Sequence, residues 1–462
     1  MSTGQNIGKI EHAYFTGTTS VVTNGGAAIK NVLPTAYTGA YLNYIDVVGT
    51  GASVYLENAN SPRDGLNFPT AVVEIDGGNP VATQIIRLTD SKYVVLSNET
   101  NLKLEATVVT TQGTVPTLGQ TTQGTHEYYI NNGDTDSWRA CPIGTAGTHF
   151  AVIFRDTADS GYVKGIICSV AGTVITLGDE KTLGGTDVGT EVAGQGYGIC
   201  EPRAGVLYFA WELAANTLTS VAAPYSGVTI GTLGTQLAVD ASACTEISCC
   251  DAGDNKVFVL FADTDTYMKA RVATVSAAGV IGTYGTLKVI GTNVAATEME
   301  CASVAVDKVA IGFIDALGDP SVQVCTIATT TITAGTAVVA EACTGTDTGI
   351  CMRDPDRGFL KYDDGTTGKV VSFSISTTTV AFDASIDNFC ETATAGGGTH
   401  GMVYAGNNQV VITYEDSAND HAILIGTYFE NRIIDVRSAT ASIAYTGKIT
   451  PNFSRKETLA KI

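Results

Sequence analysis

Val257-Phe-Val-Leu-Phe261, followed two residues later by Asp263 and then by Tyr267-Met-Lys-Ala-Arg-Val-Ala-Thr-Val275, is the stretch that decides the fold. A short apolar run, a polar turn and a second run rich in β-branched residues predict two antiparallel strands joined by a hairpin. Asp favours such a turn because its side chain hydrogen-bonds the turn backbone. We therefore expect this stretch to form the middle of a small antiparallel sheet.

The same pattern recurs along the chain with a period near fifty residues. The anchor positions, which close the apolar runs, are Leu96, Phe154, Phe209, Phe261, Phe313, Tyr362 and Tyr414. Two residues later stands an Asx side chain in six of these units, namely Asn98, Asp156, Asp263, Asp315, Asp364 and Asp416, whereas the third unit has Trp211. Because an immunoglobulin-like unit needs about 100 residues, this period favours the blade of a propeller. The sequence thus predicts an all-β chain, a seven-bladed β-propeller of four-stranded antiparallel blades.

Cysteine occupies a regular place upstream of the anchors. The register residues, nine to thirteen positions before each anchor of units two to seven, are Cys141, Cys200, Cys250, Cys301, Cys351 and Met402. We expect this strand to be innermost, because blades converge on the axis and small apolar residues fit there. Eleven cysteines without Cys-x-x-Cys spacing do not predict a zinc site. The disulfide state, for example a bridge between Cys343 and Cys351, stays open at this point.

The two ends of the chain do not match the repeat. We expect residues 1–65 to form an N-terminal β-rich arm, 66–436 the propeller and 437–462 a C-terminal tail. Two segments are equally suited to close the ring as the outer strand of the last blade, Ala71-Val-Val-Glu-Ile75 and Arg432-Ile-Ile-Asp-Val436. The tail carries Lys448, Arg455, Lys456 and Lys461, which is compatible with a docking arm for an acidic subunit or with a frayed, solvated terminus.

Charge and hydropathy exclude several classes of partner. The formal net charge of −20 argues against nucleic acid, since phosphate binding needs clustered Lys and Arg. An apolar run of about eighteen residues is absent from the sequence, so membrane insertion is not expected. The first residues have neither a basic start nor an apolar core, and we therefore expect synthesis in the cytoplasm without a signal peptide.

A search for catalytic patterns singles out no residue. The sequence contains no Gly-x-Ser-x-Gly elbow, phosphate-binding loop or His-Glu-x-x-His pair. The acidic turns Asp263-Thr-Asp265 and Asp363-Asp364-Gly365 do not follow the calcium-loop spacing, and ordinary turns explain them. We therefore assign no catalytic, cofactor-binding or metal-binding residue and expect no cofactor.

The blades are rich in Thr, Gly, Ala and Val, and their strands are followed by turns such as Gly231-Thr-Leu-Gly-Thr235 and Gly282-Thr-Tyr-Gly-Thr286. In this the chain resembles the structural propeller proteins of tailed bacteriophages and related viruses. The resemblance implies a non-enzymatic tail, fibre, nozzle or decoration component of a virion or extracellular assembly. Its implied partners are further copies, other virion structural proteins and a host-surface glycan.

Two other functions remain open. One is a polysaccharide-active hydrolase or lyase with acidic residues in the propeller funnel, since 46 acids make some carboxylate pair inevitable. The other is a bacterial surface lectin.

Overall fold

The structure, a computed structural model, describes most of the repeat region and short parts of both ends. The described residues are 46–47, 53–58, 65–67, 73–76, 80–99, 103–112, 115–119, 128–131, 138–157, 159, 161–186, 196–213, 217–263, 267–291, 299–390, 401–406, 408–415, 421–429, 434–437, 443–444 and 457–461.

Seven antiparallel sheets form a ring, and the first strand of each sheet lies at the centre. Each of these inner strands contacts the inner strands of both neighbouring blades, and the seventh contacts the first, so the ring is closed. The inner strands are Pro80–Thr89, Trp138–Ile143, Tyr197–Arg203, Cys244–Asp251, Glu300–Ala305, Thr346–Asp354 and Met402–Gly406. The seven-bladed propeller predicted from the repeat is confirmed.

The second strand of each blade is the most buried element. These strands are Lys92–Glu99, His149–Asp156, Val206–Leu213, Lys256–Asp263, Lys308–Ile314, Arg357–Asp363 and Gln409–Glu415. Every residue of Lys256–Asp263 is buried, because both faces of the strand pack against neighbouring blades. This explains why the sequence shows continuous apolar runs here and not the alternation of a half-exposed strand. All seven anchor positions are buried in these strands.

The third strands continue each sheet outward by antiparallel hairpins. They are Leu104–Gln112, Tyr162–Ala171, Thr217–Ser226, Met268–Thr274, Pro320–Ala328, Gly368–Ser376 and His421–Phe429. The outer strands of the first six blades are Val115–Leu118 with Tyr128–Asn131, Val174–Leu177 with Lys181–Thr186, Thr229–Ile230 with Leu237–Asp240, Lys288–Val289, Thr331–Ala334 with Val338–Val339, and Thr379–Cys390.

A glycine on the outer edge of blades one to five lies against the outer hairpin turn of the next blade. A Cβ atom added at Gly178, Gly234 or Gly285 would lie 2.2, 2.2 and 2.1 Å from a backbone carbonyl oxygen of the neighbouring turn. No larger side chain fits at such a close backbone approach. The Gly-Thr segments of the sequence therefore mark the contacts that join successive blades at the rim.

The last blade takes its outer strands from the start of the chain. Gly65–Asn67 and Val73–Asp76 both pair with His421–Phe429 in this sheet. Of the two closures that the sequence left open, the structure has the N-terminal one, through Val73–Asp76. Ile75 and Ile423 share a core cluster with Ile85 and Tyr93 of the first blade, so this joint is sealed by the same kind of apolar packing as the others.

Met1–Gly65 and Phe429–Ile462 form a compact unit separate from Leu66–Tyr428. In this unit Ser53–Asn58 pairs with Ile434–Arg437 and Glu457–Lys461, and Asp46–Val47 pairs with Ile443–Ala444. The segment 432–436, the alternative ring closure, is thus partly engaged in this second unit. The expected N-terminal β-rich arm, residues 1–65, lies largely outside the described residues.

Candidate functional site

The inner strands enclose a channel with a volume of about 450 Å³ on the ring axis. All seven blades contribute to its wall, through residues 84–87, 139–142, 199–201, 248–251, 300–303, 350–352 and 402–404. We call the end where the inner strands begin the loop end. The opposite end, where hairpins lead into the second strands, is the turn end. A volume of this size suits a small ligand.

The predicted cysteine register lies in this wall. Cys141, Cys200, Cys250, Cys301 and Cys351 all line the channel, as does Met402. Burial raises the pKa of the Cys200 and Cys250 thiols well above the ordinary value, which keeps them protonated and unreactive. All eleven cysteines of the chain are free thiols, so the bridge considered between Cys343 and Cys351 is not formed.

Side chains of one blade brace the inner strand of the next through hydrogen bonds. The Gln84 side chain donates to the Ala140 carbonyl and accepts from the Ala140 amide, both at 2.9 Å. Ser248 Oγ accepts from the Cys301 amide at 3.1 Å. These bonds satisfy backbone groups on the free edge of the inner strands, which would otherwise be costly to bury.

Two glutamates near the loop end act in the same way. Glu246 Oε2 accepts a hydrogen bond from the Met299 amide at 3.0 Å, and Glu300 Oε2 accepts one from the Ile350 amide at 2.9 Å. Both therefore connect neighbouring blades through a carboxyl oxygen. The result is negative charge on one side of the channel, contributed by blades four and five.

Arg139 on blade two supplies the opposing positive charge. Its residue surface is 7% exposed, it lines the channel, and Glu300 and Glu246 attract it from the far blades. Desolvation lowers its pKa to about 10, although these glutamates oppose the shift. Among the described residues its guanidinium has no hydrogen-bond or ion-pair partner. A buried cation with unused donors thus faces the channel.

Uncharged residues occupy the position of Arg139 in the next four blades. The position two residues before the register cysteine is Arg139 in blade two, whereas it is Gly198, Ser248, Met299 and Gly349 in blades three to six. Arg139 is therefore the charged side chain in this set of equivalent positions. Arg139 was not predicted as a site residue from the sequence, although a charged residue at a position that is otherwise uncharged was a usable signal.

A buried lysine lies behind Glu300. Lys361 is completely buried on the second strand of blade six, and its Nζ lies 3.8 Å from Asp347 Oδ2. Glu300 is thus attracted by Lys361 from one side and by Arg139 from the other, but desolvation is the stronger influence and raises its pKa to about 7. Glu300 is therefore close to half-protonated at neutral pH.

Acidic side chains at the turn end are also used by the scaffold. Glu201 accepts hydrogen bonds from the Gly144 amide at 2.7 Å, the Gly205 amide at 2.9 Å and the Tyr225 hydroxyl at 2.5 Å. Asp251 accepts one from the Gly253 amide at 2.8 Å, and burial raises its pKa. The carboxylates that line the channel, Glu201, Asp251 and Glu300, therefore all hold backbone groups in place.

A second concave region lies between the first hairpin turns of blades one and two. It has a volume of about 680 Å³ and is lined by residues 87–91, 142–145, 147 and 149. Arg87 pairs with Asp90 there, and the Thr148 hydroxyl lies 2.9 Å from His149 Nδ1. We call this region the turn groove.

Two of the Asx residues after the anchors, Asp315 and Asp364, act as turn caps, as predicted. Asp315 Oδ1 accepts from the amides of Leu317 and Asp319 at 2.8 and 3.0 Å, and Asp364 Oδ1 accepts from the Thr366 amide at 2.8 Å. Ion pairs to a third-strand lysine recur in alternate blades and were not predicted. They are Lys164 with Asp156, Lys269 with Asp263, and Lys369 with Asp364.

The described residues contain neither a cluster of metal ligands nor a candidate membrane helix. Within it, no group of three or more His, Cys, Asp or Glu side chains is arranged to hold a metal ion. None of the described segments forms a helix with the length and hydropathy that a membrane crossing needs. Asp265 and Asp416 fall outside the described residues.

No protein-family model matches the sequence, and no curated protein does. Among solved structures, the chain is similar to the BP39L lectin from Burkholderia pseudomallei, with a TM-score of 0.54 and 8% identity over 78% of this chain and 100% of that one. It is also similar to an Aleuria aurantia lectin mutant in complex with Fucα1-6GlcNAc, with a TM-score of 0.40 and 10% identity over 72% of this chain and 100% of that one.

A third similar structure belongs to a study of two prolyl endopeptidases, with a TM-score of 0.46 and 14% identity. That match covers 75% of this chain but 47% of the endopeptidase chain, so this protein spans about half the length of that relative. At these identities the likeness to the BP39L lectin shows a shared propeller fold.

Proposed function

We propose that this protein is a non-enzymatic, carbohydrate-binding propeller of a virion or other extracellular assembly. The observation that carries the proposal is the use of the channel carboxylates. Glu201, Asp251 and Glu300 each accept a backbone hydrogen bond that positions a strand or turn. Carboxylates bound in this way are suited to hold a rigid, polar cavity, which is what recognition of hydroxyl-rich ligands requires.

Two further observations support the binding role. The channel wall, to which all seven blades contribute, carries the donor Arg139 and acceptors such as Glu300 around a volume of about 450 Å³. The BP39L lectin, whose fold is similar to that of this chain, is by its own description a lectin. The chain has a low charged fraction of 16% but a strongly acidic net charge. A net charge far from zero keeps the copies of a protein soluble before they assemble in larger numbers.

A glycan array tests the binding function. The full chain, labelled on surface lysines, is expected to bind a subset of the glycans on the array. Mass spectrometry of the eluted sugars is expected to show that the glycans are chemically unchanged. Failure to bind any glycan would sink the proposal. Electron micrographs of the purified chain test assembly, for which rings, tubes or particles are expected and a strictly monomeric protein is the contrary result.

The pKa of Glu300 favours one second candidate, a polysaccharide-active hydrolase or lyase. A carboxyl group with a pKa of about 7 is suited to act as a general acid at neutral pH. The discriminating experiment is an activity screen of the wild type and of Glu300→Gln on acidic and neutral polysaccharides. Turnover by the wild type that Glu300→Gln abolishes would replace the binding function with this one.

A further inference from the structure

We infer that the channel is a site for the carboxylate of an acidic sugar, such as a uronic or sialic acid residue, and that Arg139 is the residue that binds it. The inference rests on the proposed carbohydrate-binding function and names the class of sugar that is bound. It depends on the geometry of the loop end of the channel, where one blade contributes an arginine and the blades across the axis contribute acidic and hydroxyl groups.

The guanidinium of Arg139 carries hydrogen-bond donors that no other described residue accepts. A guanidinium carries five N–H donors, and leaving them without acceptors in a low-dielectric site is costly. Arg139 is 7% exposed and has no hydrogen-bond or ion-pair partner among the described residues. Arg139 is part of the channel wall, so these donors are within reach of a ligand in the channel. A ligand that brings acceptors to this point completes the site.

The chemistry around Arg139 selects the kind of anion. Glu246 and Glu300 already place negative charge within electrostatic reach of the guanidinium. A phosphate with a charge near −2 is strongly repelled by two carboxylates, whereas a carboxylate carries one charge and matches the planar fork of arginine with two parallel hydrogen bonds. A monoanion is also able to share a proton with Glu300. A carboxylate therefore fits this surrounding better than a phosphate.

The rest of the wall suits the body of a sugar. Ser248 contributes a hydroxyl, the first hairpins contribute carboxylate oxygens at the turn end, and the wall carries small thiols and aliphatic groups between them. The volume of about 450 Å³ lies within the range of small-ligand sites. Polar groups at both ends and an apolar middle are the surface that a sugar ring, with hydroxyls at its edge and C–H groups on its faces, complements.

Proton uptake by Glu300 is a signature of this arrangement. The groups that interact electrostatically with Glu300 are Arg139 from blade two and Cys351 and Lys361 from blade six; Glu246 of blade four also interacts with Arg139, and Asp347 pairs with Lys361. A bound carboxylate adds negative charge beside Glu300 and favours its protonated form. Binding is therefore expected to take up a proton above pH 7, so that affinity falls as pH rises.

The experiment is isothermal titration of the full chain with glucuronic acid and with N-acetylneuraminic acid at pH 6 and pH 8. Glucose and inorganic phosphate serve as the neutral and dianionic probes. We expect at least one of the acidic sugars to bind, about tenfold more weakly at pH 8 than at pH 6. Glu300→Gln is expected to bind with an affinity that no longer depends on pH.

Arginine variants test the assigned residue. Arg139→Gln is expected to weaken binding by about 10- to 100-fold, because a charge-assisted pair is lost. Arg139→Lys keeps the charge but not the fork, and we expect an intermediate loss. The matched control is Arg353→Gln, on the inner strand of blade six, where Arg353 pairs with Asp354 outside the channel wall. Circular dichroism and the melting temperature establish that each variant is folded.

Each outcome decides a different part of the inference. Binding that Arg139→Gln leaves unchanged, glucose that binds as tightly as either acid, or phosphate that binds better, overturns the site. Glycan binding on an array without affinity for acidic sugars also overturns it and leaves the proposed function standing. Acidic sugars that bind through Arg139 support the carboxylate site and with it the proposed function, whereas a chain that binds neither acidic sugar nor any array glycan overturns both.

Discussion

The anchor positions and the channel wall obey different rules, although both are repeated in every blade. The anchors are large, apolar and buried in all seven blades, with only Leu, Phe and Tyr in use. The wall changes from blade to blade, with Gln84 in the first, Arg139 in the second and Glu300 in the fifth. The anchors repeat the same chemistry in every blade, whereas the wall repeats it at the register cysteines and varies it at the positions beside them.

The difference has a physical cause. Each anchor lies between two neighbouring sheets, so every blade makes the same demand for volume and for apolar surface. A wall residue faces an open channel, where the limits are its size and the satisfaction of nearby backbone groups. Amide, hydroxyl and carboxylate side chains all meet these limits, as the bonds of Gln84, Ser248 and Glu300 demonstrate. The wall is therefore the region that is free to specialise.

The largest effect is expected from emptying an anchor. Phe261→Ala removes a fully buried ring from blade four, and we expect the free energy of unfolding to fall by about 3–5 kcal/mol. Tyr129→Ala, at a side chain that is 44% exposed, is the control and is expected to cost under about 1 kcal/mol. Chemical denaturation measures both. Equal costs for the two variants would contradict the role given to the anchors.

The next effect concerns the contact between blades at the rim. Gly285→Ala places a Cβ atom 2.1 Å from the Thr330 carbonyl oxygen, so the two blades must separate, and we expect a loss of about 2–3 kcal/mol. In Gly205→Ala nothing lies within 4 Å of the new atom, and the cost comes from its positive φ alone, about 1–2 kcal/mol. Thermal unfolding of both variants compares them. A larger loss for Gly205→Ala would refute the close contact.

A smaller effect is expected from the charge in the wall. The pKa of Glu300 rises from 4.5 to about 7 on folding, so its ionised form is disfavoured in the native state. This penalty is absent below about pH 4.5 and complete above about pH 7. Wild-type stability should therefore fall relative to Glu300→Gln, by an amount on the order of 2 kcal/mol, as pH rises from 5 to 8. Melting temperatures of the wild type and of Glu300→Gln across this pH range provide the check. A difference between the two proteins that does not change with pH would contradict the prediction.

The last prediction concerns the cysteine thiols, for which we expect the smallest effect on stability but a measurable effect on chemical reactivity. Burial raises the pKa of Cys200 and Cys250, and we expect alkylation of these wall thiols in the native protein to be at least about tenfold slower than in unfolded protein. Cys343, which is half-buried with a pKa raised to about 11, should react first. Mass spectrometry after timed iodoacetamide treatment reads the order. Early labelling of the wall cysteines would show that the channel opens.

Sequence reasoning recovered the repeat, the blade count, the inner position of the register cysteines and the turn role of Asp315 and Asp364. It did not find Arg139, Glu300 or Lys361. Each of these stands in a strand among small or apolar residues, and nothing in the linear order indicates that blades two and five bring Arg139 and Glu300 to one channel or that Lys361 of blade six lies near Glu300. Contacts between residues more than fifty positions apart depend on the curvature of the ring, which the repeat alone does not encode.

The amino-acid sequence by itself determined the architecture, because burying the same apolar face seven times requires the same residue types at the same spacing, and that spacing is visible in one dimension. The tertiary structure alone decided the ring closure by Val73–Asp76, the use of the wall carboxylates and the meeting of Arg139 with Glu246 and Glu300. These features arise from close approach in three dimensions, where electrostatic and hydrogen-bond energies depend on distances that the order of residues does not contain.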